Sequence, residues 1–98
     1  KINKISIGNS NLDLNKLVID RNGKKYKINN TEKTILKKMI LFPGKIFSRE
    51  EIGKLINLTK ERSIDVIVTR LRQKIENDSK NPQYLQTIRG SGYVLWIE

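Results

Sequence analysis

The chain has 98 residues and a formal net charge of +10, from 20 Lys and Arg against 10 Asp and Glu. That length suits one domain with a single modest core, and the charge favours an anionic partner, either a nucleic acid or an acidic membrane surface. Cys and His are absent, which excludes disulfides, thiol nucleophiles and zinc sites of the Cys/His type and removes the commonest general base. We therefore expect no enzyme activity, metal or cofactor. No apolar run in the sequence approaches the ~18 residues of a membrane span.

The first 28 residues predict a small antiparallel sheet with a structural role. Turn residues at 8–11 and at Asn22-Gly23 separate the short apolar runs. An Asn-Gly pair is typical of a type I′ hairpin turn, because both central residues of that turn need a positive φ. The predicted strands are Ile2–Ile7, Leu12–Leu14, Leu17–Asp20 and Lys25–Ile28.

A capping pattern at Asn29 and Glu32 predicts the start of a first helix, because Asn can accept from free N–H groups and Glu three residues later can complete a capping box. Pro43-Gly44 ends this helix near Phe42. The segment 45–47 that follows is too short to be more than an isolated bridging strand. The apolar face of the helix comprises Ile35, Leu36, Met39 and Ile40.

Ser48 and Glu51 form a second capping pattern and predict a short second helix. The polar segment 57–60 is then a turn, in which Thr59 could cap the next helix. Two helices joined by a short turn give a helix-turn-helix outline. The residues of the second helix expected to face inward are Ile52, Leu55 and Ile56.

The stretch Glu61–Glu76 predicts a third, basic amphipathic helix. Its apolar residues recur at i, i+4, i+7 and i+11, which forms one narrow stripe: Ile64, Val68, Leu71 and Ile75. The opposite face collects Arg62, Ser63, Val66, Arg70, Gln73 and Lys74. Taken alone, this pattern fits either a helix that binds a nucleic-acid groove or a helix with a solvated basic face. Arg72 and Glu76 are spaced to support the helix as an i, i+4 pair.

The C-terminal residues predict a hairpin of two strands, Tyr84–Ile88 and Tyr93–Ile97. Two glycines in Arg89-Gly90-Ser91-Gly92 permit a tight reversal with Arg89 near its tip, and we expect Tyr93 and Trp96 to pack in the hairpin. A basic hairpin directly after such a helix is what the wing of a winged helix-turn-helix requires. The predicted fold class is therefore α+β, a winged helix-turn-helix with an N-terminal four-stranded antiparallel sheet (1–28), a three-helix core (29–76) and a C-terminal β-hairpin wing (83–98).

Several motifs together resemble the C-terminal DNA-binding (effector) domain of OmpR/PhoB-type response regulators. The motifs lie between residue 29 and the end of the chain, and the four-stranded sheet fits as well. They are Thr31-Glu32, Pro43-Gly44, Ser48-Arg49-Glu50, Arg62-Ser63-Ile64-Asp65-Val66, Thr69-Arg70-Leu71-Arg72-Gln73-Lys74-Ile75-Glu76, and Gln86-Thr87-Ile88-Arg89-Gly90-Ser91-Gly92-Tyr93.

The resemblance implies a cytoplasmic bacterial transcription factor of a two-component system that binds double-stranded DNA. It implies that the third helix enters the major groove and the wing reaches the adjacent minor groove or backbone. It also implies dimers on tandem half-sites, a receiver domain before Lys1, and recruitment of RNA polymerase through the loop at 57–61.

Positions that contact DNA in the family correspond here to Arg62, Ser63, Val66, Ile67, Thr69, Arg70, Arg72, Lys74 and Arg89. Ile67 stands where His is frequent, and Thr69 stands where Arg is frequent, which changes the expected target and the number of phosphate contacts. Arg70 is the first choice for a bidentate contact with guanine.

The other positions have less specific roles. Val66 either packs on a thymine methyl or is simply exposed, and Arg72 either touches DNA or pairs with an acidic residue such as Asp65. Arg89 is the wing contact. Phosphate contacts are expected from Arg62, Ser63, Thr69 and Lys74.

A different function that fits the charge is that of a basic RNA-binding winged helix. The sequence has no obvious set of exposed aromatic residues on which unpaired bases could stack. Competition between duplex DNA and RNA distinguishes these two functions.

Overall fold

A computed structural model describes residues 4–97 and contains two antiparallel sheets and three α-helices. The elements in chain order are β1 (Lys4–Ile7), β2 (Ser10–Asp13), β3 (Val18–Arg21), β4 (Lys24–Lys27), α1 (Asn30–Leu41), β5 (Ile46–Phe47), α2 (Arg49–Ile56), α3 (Glu61–Ile75), β6 (Leu85–Ile88) and β7 (Gly92–Leu95). This architecture confirms the predicted winged helix-turn-helix of class α+β. Ile2 and Asn3 of the predicted first strand, and Glu98 of the predicted wing, lie outside the described residues.

The N-terminal sheet has the strand order β1-β2-β3-β4. Asn22 and Gly23 join β3 to β4 with φ values of 55° and 86°, the pair of positive angles that a type I′ turn requires. The predicted break at 8–11 is too long, because Ser10 already pairs with Ile7. The Ser10 hydroxyl is buried and donates to the carbonyl of Ile75 at 2.8 Å, so it ties β2 to the end of α3.

The prediction that a strand begins at Leu17 is wrong, since residues 14–17 form the turn between β2 and β3. The Asp13 carboxylate accepts from the backbone N–H groups of Asn15 and Lys16, both at 3.0 Å. A side chain that accepts from the backbone in this way stabilises a turn in place of a strand. Leu17 leaves the turn with a φ of 58°.

Both predicted capping boxes are present. In the first, the Glu32 N–H donates to the Asn29 side chain at 2.7 Å, and the Asn29 N–H donates to the Glu32 carboxylate at 3.0 Å. Ser48 and Glu51 make the corresponding pair of bonds at the start of α2. The prediction that Thr59 caps α3 is wrong, because Lys60 is the N-cap residue and makes no side-chain cap bond.

The core lies between the three helices and the two sheets. The apolar face of α3 enters this core as predicted, with Ile64, Val68, Leu71 and Ile75 at most 2% exposed. Ile35, Leu36, Met39 and Ile52 are buried in the same cluster. The inward prediction for Leu55 is wrong, because this residue is only half-buried and lines a surface groove beside Leu41.

The second sheet has the order β5-β7-β6, so the segment 46–47 is not an isolated bridge. Ile46 pairs with Val94, and Phe47 pairs with Tyr93. A Cβ atom on Gly92 would lie 2.1 Å from the Phe47 carbonyl oxygen, so only glycine allows β5 to approach the wing this closely. The base of the wing is thereby attached to the connection between α1 and α2.

We expect Leu71→Ala to lower the free energy of unfolding by about 2–5 kcal/mol, because it removes a fully buried side chain from the core and leaves a cavity. Urea unfolding followed by far-UV circular dichroism measures this change. Gln73→Ala on the exposed face of the same helix is the control and should change the free energy by less than about 0.5 kcal/mol. Equal effects of the two substitutions would contradict the burial of Leu71.

Candidate nucleic-acid interface

One face of α3 is exposed along the length of the helix. Its residues recur at i, i+4, i+7, i+8 and i+11, the spacing of a single helix face. We call this face the recognition stripe, and it consists of Arg62, Val66, Thr69, Arg70 and Gln73. Together with Asp65 these side chains line a shallow groove. Two guanidinium groups and an amide thus flank the exposed Val66, which gives the stripe both hydrogen-bond donors and an apolar contact.

Gln73 belongs to the stripe although it is not among the positions that the resemblance carried over. The 3.6-residue periodicity of the helix placed it on this face, so the signal was present in the sequence. Thr69 lies at the edge of the stripe, and its hydroxyl donates to the carbonyl of Asp65 at 2.8 Å.

Two predicted contact residues form the opposite border of the stripe. Ser63 is half-buried. Ile67 is also half-buried and packs against the hydrophobic core. The structure therefore keeps Ser63 at the margin of the exposed face and directs much of Ile67 inward.

Lys74, a predicted phosphate contact, is engaged within the protein. Its ammonium group donates to the two carboxylate oxygens of Glu32 at 2.8 Å and 3.1 Å. The Glu32 side chain is 3% exposed and that of Lys74 is 23% exposed. Because Glu32 also accepts from the Asn29 N–H, this ion pair joins the C-terminal half of α3 to the beginning of α1.

Arg72 is also engaged within the protein, but with the wing. Its Nε donates to the Leu85 carbonyl at 2.7 Å, and a terminal nitrogen donates to the Thr87 hydroxyl. The guanidinium carbon lies 5.6 Å from the centre of the Tyr93 ring. Asp65 was the acidic residue considered as a partner for Arg72. It accepts instead from Arg49 at 2.8 Å and from the Tyr93 hydroxyl.

Burial and these contacts shift the pKa values of Asp65, Tyr93 and Arg72. Partial burial acts to raise the pKa of Asp65, but the hydrogen bonds from Arg49 and Tyr93 outweigh it and hold this pKa below its ordinary value. Burial, followed by the hydrogen bond to Asp65, raises the pKa of Tyr93. Burial lowers the pKa of Arg72. Asp65 is therefore an ionised acceptor that connects α2, α3 and β7.

Glu76 follows the last residue of α3 and is 2% exposed. Its carboxylate accepts from the backbone N–H groups of Gln83, Tyr84 and Leu85 at 2.8 Å, 3.0 Å and 2.7 Å. The predicted i, i+4 pair between Arg72 and Glu76 is therefore replaced by contacts from both residues to the start of the wing.

The wing turns at Arg89-Gly90-Ser91, where the Ser91 N–H donates to the Ile88 carbonyl at 2.9 Å. Gly90 has a φ of 78°, which glycine adopts without strain. Arg89 is exposed at this tip, as predicted. Tyr93 is buried as expected, whereas Trp96 is 42% exposed and donates from its indole N–H to Gln86 at 3.0 Å.

The turn between α2 and α3 is exposed from Asn57 to Lys60. Asn57 has a left-handed φ of 58°, and the Leu58 N–H donates to the Gly53 carbonyl at 2.9 Å. Leu58 is 37% exposed. The turn thus presents an apolar side chain beside a groove that α2 also lines.

Within residues 4–97, no group of three or more His, Cys, Asp or Glu residues could hold a metal ion. Within the same range, no helix has the length and apolar character needed to cross a membrane.

The fold and this interface define a winged-helix domain whose third helix presents an exposed basic face. A family model described as "Transcriptional regulatory protein, C terminal" matches residues 23–95. The chain belongs to this family and is an OmpR/PhoB-type C-terminal winged-helix domain. The match confirms the resemblance that the sequence motifs indicated.

Individual relatives agree with this assignment. Protein PetR of Rhodobacter capsulatus is 33% identical over an alignment 100 residues long. The alignment covers 93% of this chain and 42% of PetR. The response regulator DrrB, an OmpR/PhoB homologue of Thermotoga maritima, has a TM-score of 0.82 at 26% identity, over 96% of this chain and 44% of DrrB. The DNA-binding domain of response regulator AdeR, solved in complex with an intercistronic region, has a TM-score of 0.70 at 29% identity, over 92% of this chain and 96% of that domain. The chain spans about two fifths of the length of the curated relatives that it matches first.

We expect Lys74→Ala to lower the free energy of unfolding by about 1–3 kcal/mol, because it leaves the buried Glu32 carboxylate without its charged donor. Urea unfolding measures the loss, and Lys37→Ala on the exposed side of α1 is the control. Adding Glu32→Gln to Lys74→Ala should recover part of the loss, because the unpaired charge is then gone. An unchanged stability in Lys74→Ala would show that the ammonium group is free to bind elsewhere.

The lowered pKa of Asp65 predicts a contribution to stability that depends on pH. Because the native pKa lies below the ordinary value of 3.8, ionised Asp65 stabilises the folded state above that value, and this stabilisation is lost as the pH falls through the native pKa. We expect Asp65→Asn to lower the stability at pH 6 and to flatten its decline below about pH 5. Urea unfolding over a pH series tests this expectation, with Glu61→Gln as the control for removal of one negative charge. A decline as steep as that of the wild type would contradict it.

Proposed function

We propose that this domain binds double-stranded DNA in a sequence-specific manner and acts as the effector domain of a two-component response regulator that controls transcription. The observation that carries the proposal is the recognition stripe. The apolar face of α3 is buried in the core, while the opposite face presents Arg62, Arg70 and Gln73 around Val66. An α-helix exposed in this way has the dimensions and donor groups that the major groove accepts.

Within the stripe we assign base contacts to the residues near its centre. Arg70 can pair with O6 and N7 of guanine, a contact worth roughly 1–3 kcal/mol against a wrong base. Gln73 has an amide that can pair with adenine, and Val66 can pack on a thymine methyl group. Arg62, Ser63 and Thr69 are assigned to phosphates, which set the register of the helix in the groove.

The wing supplies a second contact with the same duplex. Arg89 is exposed at its tip, and an arginine is favoured in a narrow A·T-rich minor groove by the enhanced negative potential there. The net charge of +10 supports the association with a phosphate backbone. The DNA-binding domain of AdeR has the same fold and was solved in complex with an intercistronic region. The matches give no support to the RNA-binding alternative.

The wider assembly is part of this proposal. Because the chain spans about two fifths of its curated relatives, we infer that it is one part of a longer protein in which a receiver domain precedes it. We also propose that the full protein dimerises on tandem half-sites, as the family resemblance implies. The exposed turn from Asn57 to Lys60 is the proposed contact with RNA polymerase. Substitution of Leu58 or Lys60 should then abolish activation of transcription without changing DNA affinity, and unchanged activation would exclude this role.

The experiment that tests sequence-specific binding is selection of bound duplexes from a random DNA pool at about 150 mM salt. We expect an enriched motif, with tandem copies about one helical turn apart if the domain binds in pairs. Arg70→Ala should relax the preference at one base position and lower affinity for the selected site about tenfold. The control Lys37→Ala, which removes a positive charge from α1, should leave the selected motif unchanged.

Two outcomes would contradict this function. The first is the absence of any enriched motif, with binding that collapses as salt rises, because such affinity comes mainly from counterion release. The second is stronger binding to RNA than to the selected duplex in direct competition.

A further inference from the structure

We propose that Arg72 and Glu76 act as positioning residues that fix the wing to the recognition helix, and that Arg72 serves DNA binding through the wing and not by touching DNA. This inference rests on the proposed function. The two side chains are four residues apart, Arg72 in the last turn of α3 and Glu76 directly after the helix, and both contact the beginning of β6. The consequence is that the contribution of Arg89 to DNA affinity depends on Arg72.

Leu85 lies at the start of β6. In the second sheet β6 pairs only with β7 among the described strands, so its other side is an edge. Backbone groups on such an edge need partners when they are buried. The Leu85 N–H donates to the Glu76 carboxylate at 2.7 Å, and its carbonyl accepts from Arg72 Nε at 2.7 Å. Arg72 of α3 and Glu76 at its C-cap thus satisfy both backbone groups of this buried strand residue.

The attachment extends to both sides of Leu85 along the chain. Glu76 also accepts from the N–H groups of Gln83 and Tyr84, which precede β6. Arg72 also donates to the hydroxyl of Thr87, which follows within β6. The wing is therefore attached to α3 over residues 83–87, immediately before the segment that carries Arg89.

The guanidinium group of Arg72 is held in one orientation by its contacts. Its guanidinium carbon lies 5.6 Å from the centre of the Tyr93 ring, and that of Arg49 lies 5.9 Å from the same centre. The Tyr93 hydroxyl in turn donates to Asp65, a residue of α3 that lies beside the recognition stripe. A planar group that makes two directed bonds and lies over a ring is held in one orientation, and a lysine lacks the planar, rigid fork that makes these bonds. The role therefore requires the geometry of arginine and not merely its charge.

The test is a double-mutant cycle in DNA affinity on the selected duplex, with Arg72→Lys and Arg89→Ala. Arg72→Lys retains the positive charge, so a direct phosphate contact would largely survive it. If Arg72 positions the wing, Arg89→Ala should lower affinity about tenfold in the wild type but less than about twofold in Arg72→Lys. The matched control combines Arg89→Ala with Arg62→Ala, a substitution on the recognition stripe. The two fold-losses of DNA affinity should multiply in this double variant.

Three outcomes would each overturn the inference. The losses of affinity from Arg72→Lys and Arg89→Ala could be independent, Arg72→Lys could retain wild-type affinity, or Arg89→Ala could have no effect on affinity. Thr87→Val provides a second variant that removes an acceptor of Arg72 from an exposed position without changing charge. It should also weaken the effect of Arg89→Ala, and full retention of that effect would count against the positioning role.

Amide hydrogen exchange without DNA separates this inference from the proposed function. In Arg72→Lys the amides of β6 should exchange about tenfold faster, while those of Val68 and Leu71 in the buried face of α3 should not change. Unchanged protection of β6 would overturn the positioning role even if the domain binds DNA. If the wild type selects no duplex motif, the proposed function fails, and the exchange result alone decides whether these two residues hold the wing.

Discussion

The burial of one face of α3 is the constraint on which the rest of the structure depends. Ile64, Val68, Leu71 and Ile75 are at most 2% exposed, so the rotation of this helix about its axis is set by the core. Burial of four such side chains contributes several kcal/mol, far more than any single surface contact. Once this rotation is set, the residues opposite the core must be exposed, and the recognition stripe is the result.

The charged residues beside the buried face serve a different purpose from those of the stripe. Lys74 pairs with Glu32 and connects α3 to α1, whereas Arg72 and Glu76 connect it to the wing. Asp65 accepts from Arg49 and Tyr93 and so connects it to α2 and β7. Because these groups are partly or fully buried, removing one partner leaves another polar group unsatisfied. The helix is thus held on both flanks, and its exposed face has a defined direction relative to Arg89.

The relation between the helix and the wing determines how the domain would meet a duplex. A major-groove helix and a minor-groove arginine can act together only if the distance between them is maintained, since a displacement of about 1 Å is enough to weaken directed hydrogen bonds. The strand β5 reinforces this relation by pairing with β7, and Gly92 permits its close approach. The N-terminal sheet also contacts the C-terminal end of α3, where Ser10 donates to the Ile75 carbonyl.

The sequence by itself determined the elements and the exposed face of α3, because capping boxes, the Asn22-Gly23 turn and the 3.6-residue period depend only on neighbouring residues. The motifs likewise sufficed to indicate the family. Only the tertiary structure decided what the charged side chains at the borders of that face contact. Arg72 and Glu76 fit an i, i+4 pair from their spacing, and Lys74 fits a phosphate contact from its type. Their partners instead include Leu85 and Glu32, which lie at least nine residues away in the chain. Such partners are brought together by the packing of whole elements, which no local pattern of residues records.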